Sequence, residues 1–439
     1  MKTTIFLFLS LILSSLNAQV DIPAPASLQL DTTTDGALLS EVDLLGVNFQ
    51  VDSIITNGIK NEAFPGAQVL VSQNGKVIFH KAYGFHTYDN VEAVALDDIY
   101  DLASVTKILG PLPAIMKLVE EGKLDLDMPF SNYWKSWEHV KDKKDITLRE
   151  ILAHQAGLEP YIIFLNTVIK KNGGVKKRFI KPNKKKRFEN EAYEGIYVKN
   201  RLNRKMYRMM KLSKVSEEKK YVYSGLTFLI FPELITQLTG QHYETYLTET
   251  FFKPIGSKTL AFLPTSKKFP NKIVPTEVDT LFRHSLTQGW VHDENASLLG
   301  GISGNAGLFA SAHDLDKIMQ LFMQYGTVDG KRLISEEVVK EFIKVQYPEN
   351  DNRRGLGFDK PLLNNSELAL GEAYPAPEVS ADSFGHSGFT GTFVWADPEN
   401  QLVYVFLSNR VYPTRENRNL YELNIRSAVQ QVFYQALKK

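Results

Sequence analysis

Two short apolar runs flank an Asn-Gly pair near the start of the chain, Gln68–Ser72 and Lys76–Phe79 on either side of Asn74-Gly75. Asn-Gly accepts the positive φ of a two-residue hairpin turn, so the pattern predicts two antiparallel strands. A second pair lies near the other end, Thr392–Trp395 and Leu402–Leu407 around the turn Asp397-Pro398-Glu399-Asn400, followed by apolar residues at helical spacing over Leu420–Leu437. Between these ends the period becomes helical. Ile108–Glu121 carries Leu112, Ile115, Met116, Leu118 and Val119 on one face and ends at Gly122; Thr147–Leu152 stops by Gly157; Phe228–Leu238 precedes Gly240. Strands at both ends with helices between predict an α/β fold. One sheet is built from both termini (residues 46–100 and 315–439), and residues 101–314 form an inserted helical domain.

The first residues have a different pattern. Lys2, the apolar run Ile5–Leu13 and Leu16-Asn17-Ala18 read as a secretory signal peptide over 1–18, too short to remain as a membrane span. Residues 19–45 are rich in Asp, Thr and Ser and predict a loosely ordered lead-in. The mature chain is thus expected outside the cytoplasm, with no transmembrane span after signal removal. The sequence has no cysteine, which excludes disulfides, a thiolate nucleophile and cysteine–zinc sites. A formal net charge of +1 gives no electrostatic reason to expect nucleic acid. The charge is uneven, however: residues 170–214 include Lys176-Lys177-Arg178 and Lys184-Lys185-Lys186-Arg187. Their low apolar content predicts a solvated surface insertion outside the core, whose charge also suits steering of anionic envelope material toward a cleft.

Candidate chemistry begins at Ser104-Val105-Thr106-Lys107, which fits S-x-x-K. The pattern recurs at Ser216-Glu217-Glu218-Lys219, so context decides. Ser104 follows the apolar lead Tyr100-Asp101-Leu102-Ala103 and opens the amphipathic helix, whereas Ser216 lies in a charged stretch. Positions i and i+3 share a helix face, so the Lys107 ammonium can reach the Ser104 hydroxyl. The helix N-terminus favours an oxyanion there, and a desolvated lysine can take the hydroxyl proton.

Further along stand Tyr223-Ser224-Gly225 and His386-Ser387-Gly388. With Ser104 and Lys107 they resemble the three ordered motifs of serine β-lactamases, penicillin-binding proteins and related esterases: S-x-x-K, Y-x-N and K-T-G or H-x-G. Leu152–Leu158, Gly304–Phe309, Ser311–Leu315 and Gly385–Gly391 are similar to flanking segments of that superfamily. Pro275-Thr276-Glu277 and Val291–Ala296 resemble a narrower branch, sometimes fused to a cell-wall-sugar hydrolase. The resemblance spans about residues 60–435. It implies a β-lactamase/DD-peptidase-like fold, an antiparallel sheet flanked by helices with an inserted all-helical domain. It also implies acyl-enzyme chemistry without metal or cofactor, on a small-molecule or peptidoglycan-derived substrate. Ser104 would be the nucleophile, and Lys107 and Tyr223 would share the base. His386, charged part of the time near neutral pH, would contact Tyr223 or a substrate carboxylate. Gly388 would admit the substrate backbone, and the N–H groups of Ser104 and Phe389 would form the oxyanion hole.

Gly225 departs from the family's Asn or Asp and removes an amide beside the lysine. That weakens β-lactam hydrolysis and favours an esterase or narrow peptidase. It also leaves open a degenerate, binding-only protein, although such a protein leaves Ser104, Lys107 and Tyr223 in series unexplained. An α/β-hydrolase elbow fails at Phe389, where G-x-S-x-G needs glycine. No H-E-x-x-H cluster or phosphate loop occurs.

Overall fold

The computed structural model describes residues 41–437, so the expected signal peptide lies outside the described residues. The strands Gly66–Gln73 and Lys76–Gly84 form the expected hairpin, with Asn74 and Gly75 at φ 51° and 75° in its turn. Phe393–Asp397 and Leu402–Ser408 form the second pair, and Phe384–Ser387 is added at its edge. The two ends of the chain meet where Leu70 pairs with Val405 and Val71 with Tyr404, closing a five-stranded antiparallel sheet.

Side-chain alternation on these strands explains the layers. Val69, Val71, Tyr404 and Phe406 face one way and pack with Val51, Ile55, Val429 and Phe433 of the helices Glu41–Lys60 and Ile425–Leu437. Leu70, Val403 and Val405 face the other way, toward Leu315, Ile318 and Phe322 of the helix Ala312–Met323. Both faces are buried, which is why these strands read as nearly continuous apolar runs. The helix starting at Glu41 corrects the lead-in, whose last five residues are helical.

Three further features differ from expectation. The apolar stretch from Ile108 to Glu121 is two helices, Thr106–Leu109 and Pro111–Glu120. Pro111 offers no N–H to continue the ladder and turns Gly110 away from helical geometry, with ψ −89°. Residues 101–314 also hold short sheets, including Tyr100–Asp101 with Leu308–Ala310 and Ala261–Phe262, so this region is helix-rich rather than all-helical. The basic insertion, too, is folded into the core. Its helix Leu202–Leu212 buries Leu202, Met206 and Met210, and its strands bury Ile180, Ala192 and Val198. Outside, Arg178 and Lys205 both lie over the Phe179 ring, at 4.8 and 4.9 Å. By contrast Thr147 makes the capping box with Glu150, and Gly240 caps its helix at φ 71°.

Candidate active site

Ser104 sits in a 3₁₀ turn, Ala103–Val105, immediately before the first α-turn. Its position is fixed from several sides. Ala103 holds φ 45°, uncommon for a residue with a Cβ, and its N–H donates to Asp101 Oδ1 at 2.8 Å. Thr390 and Thr392 hydroxyls donate to the carbonyls of Asp101 (2.7 Å) and Leu102 (3.0 Å). The loop after the edge strand is therefore tied to the Ser104 turn. Gly388 lies at that junction, where a Cβ would collide with Thr392 Oγ1 and the Leu102 carbonyl. Lys107 is 3% exposed, and its Nζ donates to Ser104 Oγ at 2.9 Å and to the Asn305 carbonyl at 3.0 Å. Ser104 is partly open to solvent while its partner is enclosed.

Lys107 Nζ also lies 5.4 Å from the Tyr223 ring centroid and 5.7 Å from that of Phe228. The Tyr223 loop is held by His154, whose carbonyl accepts from Val222 N–H at 3.0 Å and whose Nδ1 accepts from Ser224 N–H at 3.2 Å. The His154 and Tyr223 rings lie 4.6 Å apart, those of Tyr223 and His386 6.1 Å. Arg354, paired with Asp359 at 3.0 Å, covers the Tyr223 ring at 5.6 Å. Tyr223 Oη, His154 Nε2 and His386 Nε2 are buried without a protein partner. They are buried polar atoms that the fold leaves unsatisfied. Gly225 lies beside the lysine, where a Cβ would stand 3.7 Å from Lys107 Cε.

His386 is not the partly charged group expected from sequence. Burial, then Arg354, then Lys107 push its pKa down to about 3. Its Nδ1 donates to the Ser387 carbonyl at 2.7 Å, which leaves Nε2 as an acceptor. His154 is likewise pushed well down, by burial first and then by Arg354, Lys107 and His386. Both histidines thus bind protons more readily unfolded than folded. Their contribution to stability is complete above the unfolded pKa of about 6.5 and is lost as pH falls toward the folded values. Thermal melts should show Tm dropping between about pH 6.5 and 5, above the range where carboxylates titrate. A H154Q/H386Q double variant should flatten that drop. An unchanged slope would show that the two rings are not held neutral.

Phe389 is 48% exposed, stacks on His292 at 5.7 Å, and lies under the Arg410 guanidinium at 4.4 Å. Behind it His292 is braced by Glu277 (2.8 Å) and donates its backbone N–H to Asp101 Oδ2 at 2.6 Å. Arg415 Nε also bonds Glu277, at 2.7 Å. Asp293 accepts from Asn305 Nδ2 at 3.1 Å, linking this wall to the residue whose carbonyl holds Lys107. The Pro275–Glu277 and Val291–Ala296 segments therefore support the rim around Phe389. The backbone N–H groups of Ser104 and Phe389 donate to no protein acceptor among the described residues. The decoy serine is elsewhere. Ser216 is exposed, and Lys219 pairs with Glu150 instead.

The structure thus brings Ser104, Lys107, Tyr223 and His386 together, with Gly388 and Phe389 on the loop tied to the Ser104 turn. Sequence reasoning missed three residues there. His154 lay inside a quoted segment without a role, whereas Arg354 and Asp359 follow no pattern and are found only by burial.

A family model described as Beta-lactamase matches residues 51–427. A Salmonella gallinarum protein named "Putative D-alanyl-D-alanine carboxypeptidase" is 29% identical over 385 residues, 82% of each chain. EstCE1, titled a hydrolase with promiscuous acyltransferase activity, superposes with a TM-score of 0.61 at 17% identity, covering 89% of this chain and 100% of its own. A class C beta-lactamase from Rhodobacter sphaeroides gives the same score and identity over 88% and 99%. At that identity the two structures establish the fold alone.

Proposed function

The chain belongs to the beta-lactamase family of serine hydrolases, and from that premise we propose that Ser104 is its nucleophile in acyl transfer from an ester or a D-alanyl peptide to water. The observation that carries this reading is the 2.9 Å hydrogen bond from enclosed Lys107 to partly open Ser104. Lys107 takes the hydroxyl proton as Oγ attacks the carbonyl carbon. The backbone N–H groups of Ser104 and Phe389, free of protein acceptors, receive the developing oxyanion. Tyr223 Oη, buried and unpartnered, passes the proton to the leaving group, and neutral His386 accepts a hydrogen bond from Tyr223 or from substrate. Water then attacks the acyl-enzyme by the reverse route. The relative named "Putative D-alanyl-D-alanine carboxypeptidase" supports a D-alanyl peptide substrate. The leader-like start of the sequence supports export.

Gly225 sets the expected preference. With no amide beside Lys107, an activated ester should be hydrolysed faster than a β-lactam. The test is turnover of p-nitrophenyl butyrate against a cephalosporin. Faster loss of the cephalosporin would overturn the inference. The space at Gly225 admits a side chain, its Cβ meeting Lys107 at ordinary contact distances of 3.7 and 3.9 Å. Gly225→Asn should therefore fold and shift the amide-to-ester ratio upward by about tenfold, the worth of one charge-assisted hydrogen bond.

A further inference from the structure

The segment from Lys170 to Lys214 holds seventeen Lys and Arg against three Glu, a net +14 in a chain whose total is +1. Among the described residues none of these seventeen forms an ion pair, whereas twenty Lys and Arg elsewhere do. The nearby Glu189 carboxylate is itself taken by Asn200 Nδ2 at 2.5 Å. Like charges gathered on a folded surface without counter-charge repel one another. A partner that neutralises them removes that cost.

The arrangement says what kind of partner. The helix Leu202–Leu212 turns Leu202, Met206 and Met210 into the core, and Arg204, Arg208 and Lys211 follow at i, i+4 and i+7 on another face. They form a stripe with a charge about every 5 Å along the axis. With Trp134, Tyr207 and Leu212 they line a cleft of about 500 Å³. The exposed Lys184–Arg187 turn abuts the start of this helix, since Asn200 N–H donates to the Arg187 carbonyl at 2.9 Å. The turn is itself closed by reciprocal backbone bonds between Lys185 and Phe188. A lipid surface is the poorer fit. Helices that bind bilayers present their apolar face outward. Here that face is buried, and only Val175 and Leu212 are exposed large aliphatics in the segment. Guanidinium forks one turn apart match phosphate oxygens in bidentate geometry. A linear polymer with a full charge on every repeat can follow the stripe past the turn.

We propose that the Lys170–Lys214 insertion is a docking surface for a linear phosphate polymer. The proposal is independent of the Ser104 assignment, because none of these residues is bonded to Ser104, Lys107 or His386. Long-chain inorganic polyphosphate, titrated against the full chain, should bind at about 50 mM salt and weaken steeply by about 200 mM, as counterion release requires. R204E/R208E/K211E and K184E/K185E/K186E should each weaken binding by about tenfold or more, with p-nitrophenyl butyrate hydrolysis at the parent rate. The Gln versions of both variants should lose less. No binding at low salt, or equal binding by parent and charge-reversed chains, would overturn the proposal. Tighter binding to phosphatidylglycerol vesicles would assign the surface to a membrane instead. Poly-L-glutamate binding as tightly at matched charge would overturn the choice of phosphate.

Discussion

Ser104→Ala should lower kcat/KM for an activated ester by about 10⁴- to 10⁶-fold and abolish labelling by a fluorophosphonate probe. The size follows from what is removed. Without Oγ there is no acyl-enzyme, and only binding and the two backbone donors remain to stabilise attack by water. Little structural loss should accompany it, because Ser104 is partly exposed and receives one hydrogen bond, from Lys107. Ser216→Ala is the control, since it alters the other S-x-x-K at a serine whose lysine pairs with Glu150. Mass mapping of the labelled peptide checks both. Label on Ser216, or label persisting in Ser104→Ala, would sink the proposed nucleophile.

The central sheet was legible because its strands carry their own turn signals and pack on both faces. Asn74-Gly75 and the Asp397–Asn400 turn were read correctly from composition alone. The helix break was missed because Leu112, Ile115 and Met116 keep helical spacing across it, and Pro111 is also acceptable as a first helical residue. In the insertion, Leu202, Met206 and Met210 do recur at i, i+4 and i+8, but the surrounding cations lowered the average apolar content below that of a core helix. Motif order was enough to pick out Ser104, Lys107, Tyr223 and His386, which the fold brings together. It did not reveal the charge state of His386. That depends on Arg354, which the fold brings in from a loop with no motif and anchors through Asp359. Burial and long-range neighbours decide such properties, and neither is written locally.

Lys107→Ala and Tyr223→Phe should each reduce kcat/KM by about 10²- to 10⁴-fold, the usual cost of losing a general base or acid. The informative result is the double variant. In the proposed mechanism both groups act on the same proton, with Lys107 Nζ on Ser104 Oγ and 5.4 Å from the Tyr223 ring. Once one is gone the other has less to act on, so the combined loss should fall well short of the product of the single losses. The pH profile separates His386 from this pair. A ring that protonates at about pH 3 does not change charge between about pH 5 and 8. His386→Gln should therefore leave the limbs of the kcat/KM profile where they are while lowering its height. Multiplicative losses in the double variant would place the two groups in separate steps. A limb that moves with His386→Gln would show that His386 titrates during turnover, and the proton route would then run through the imidazole rather than between Lys107 and Tyr223.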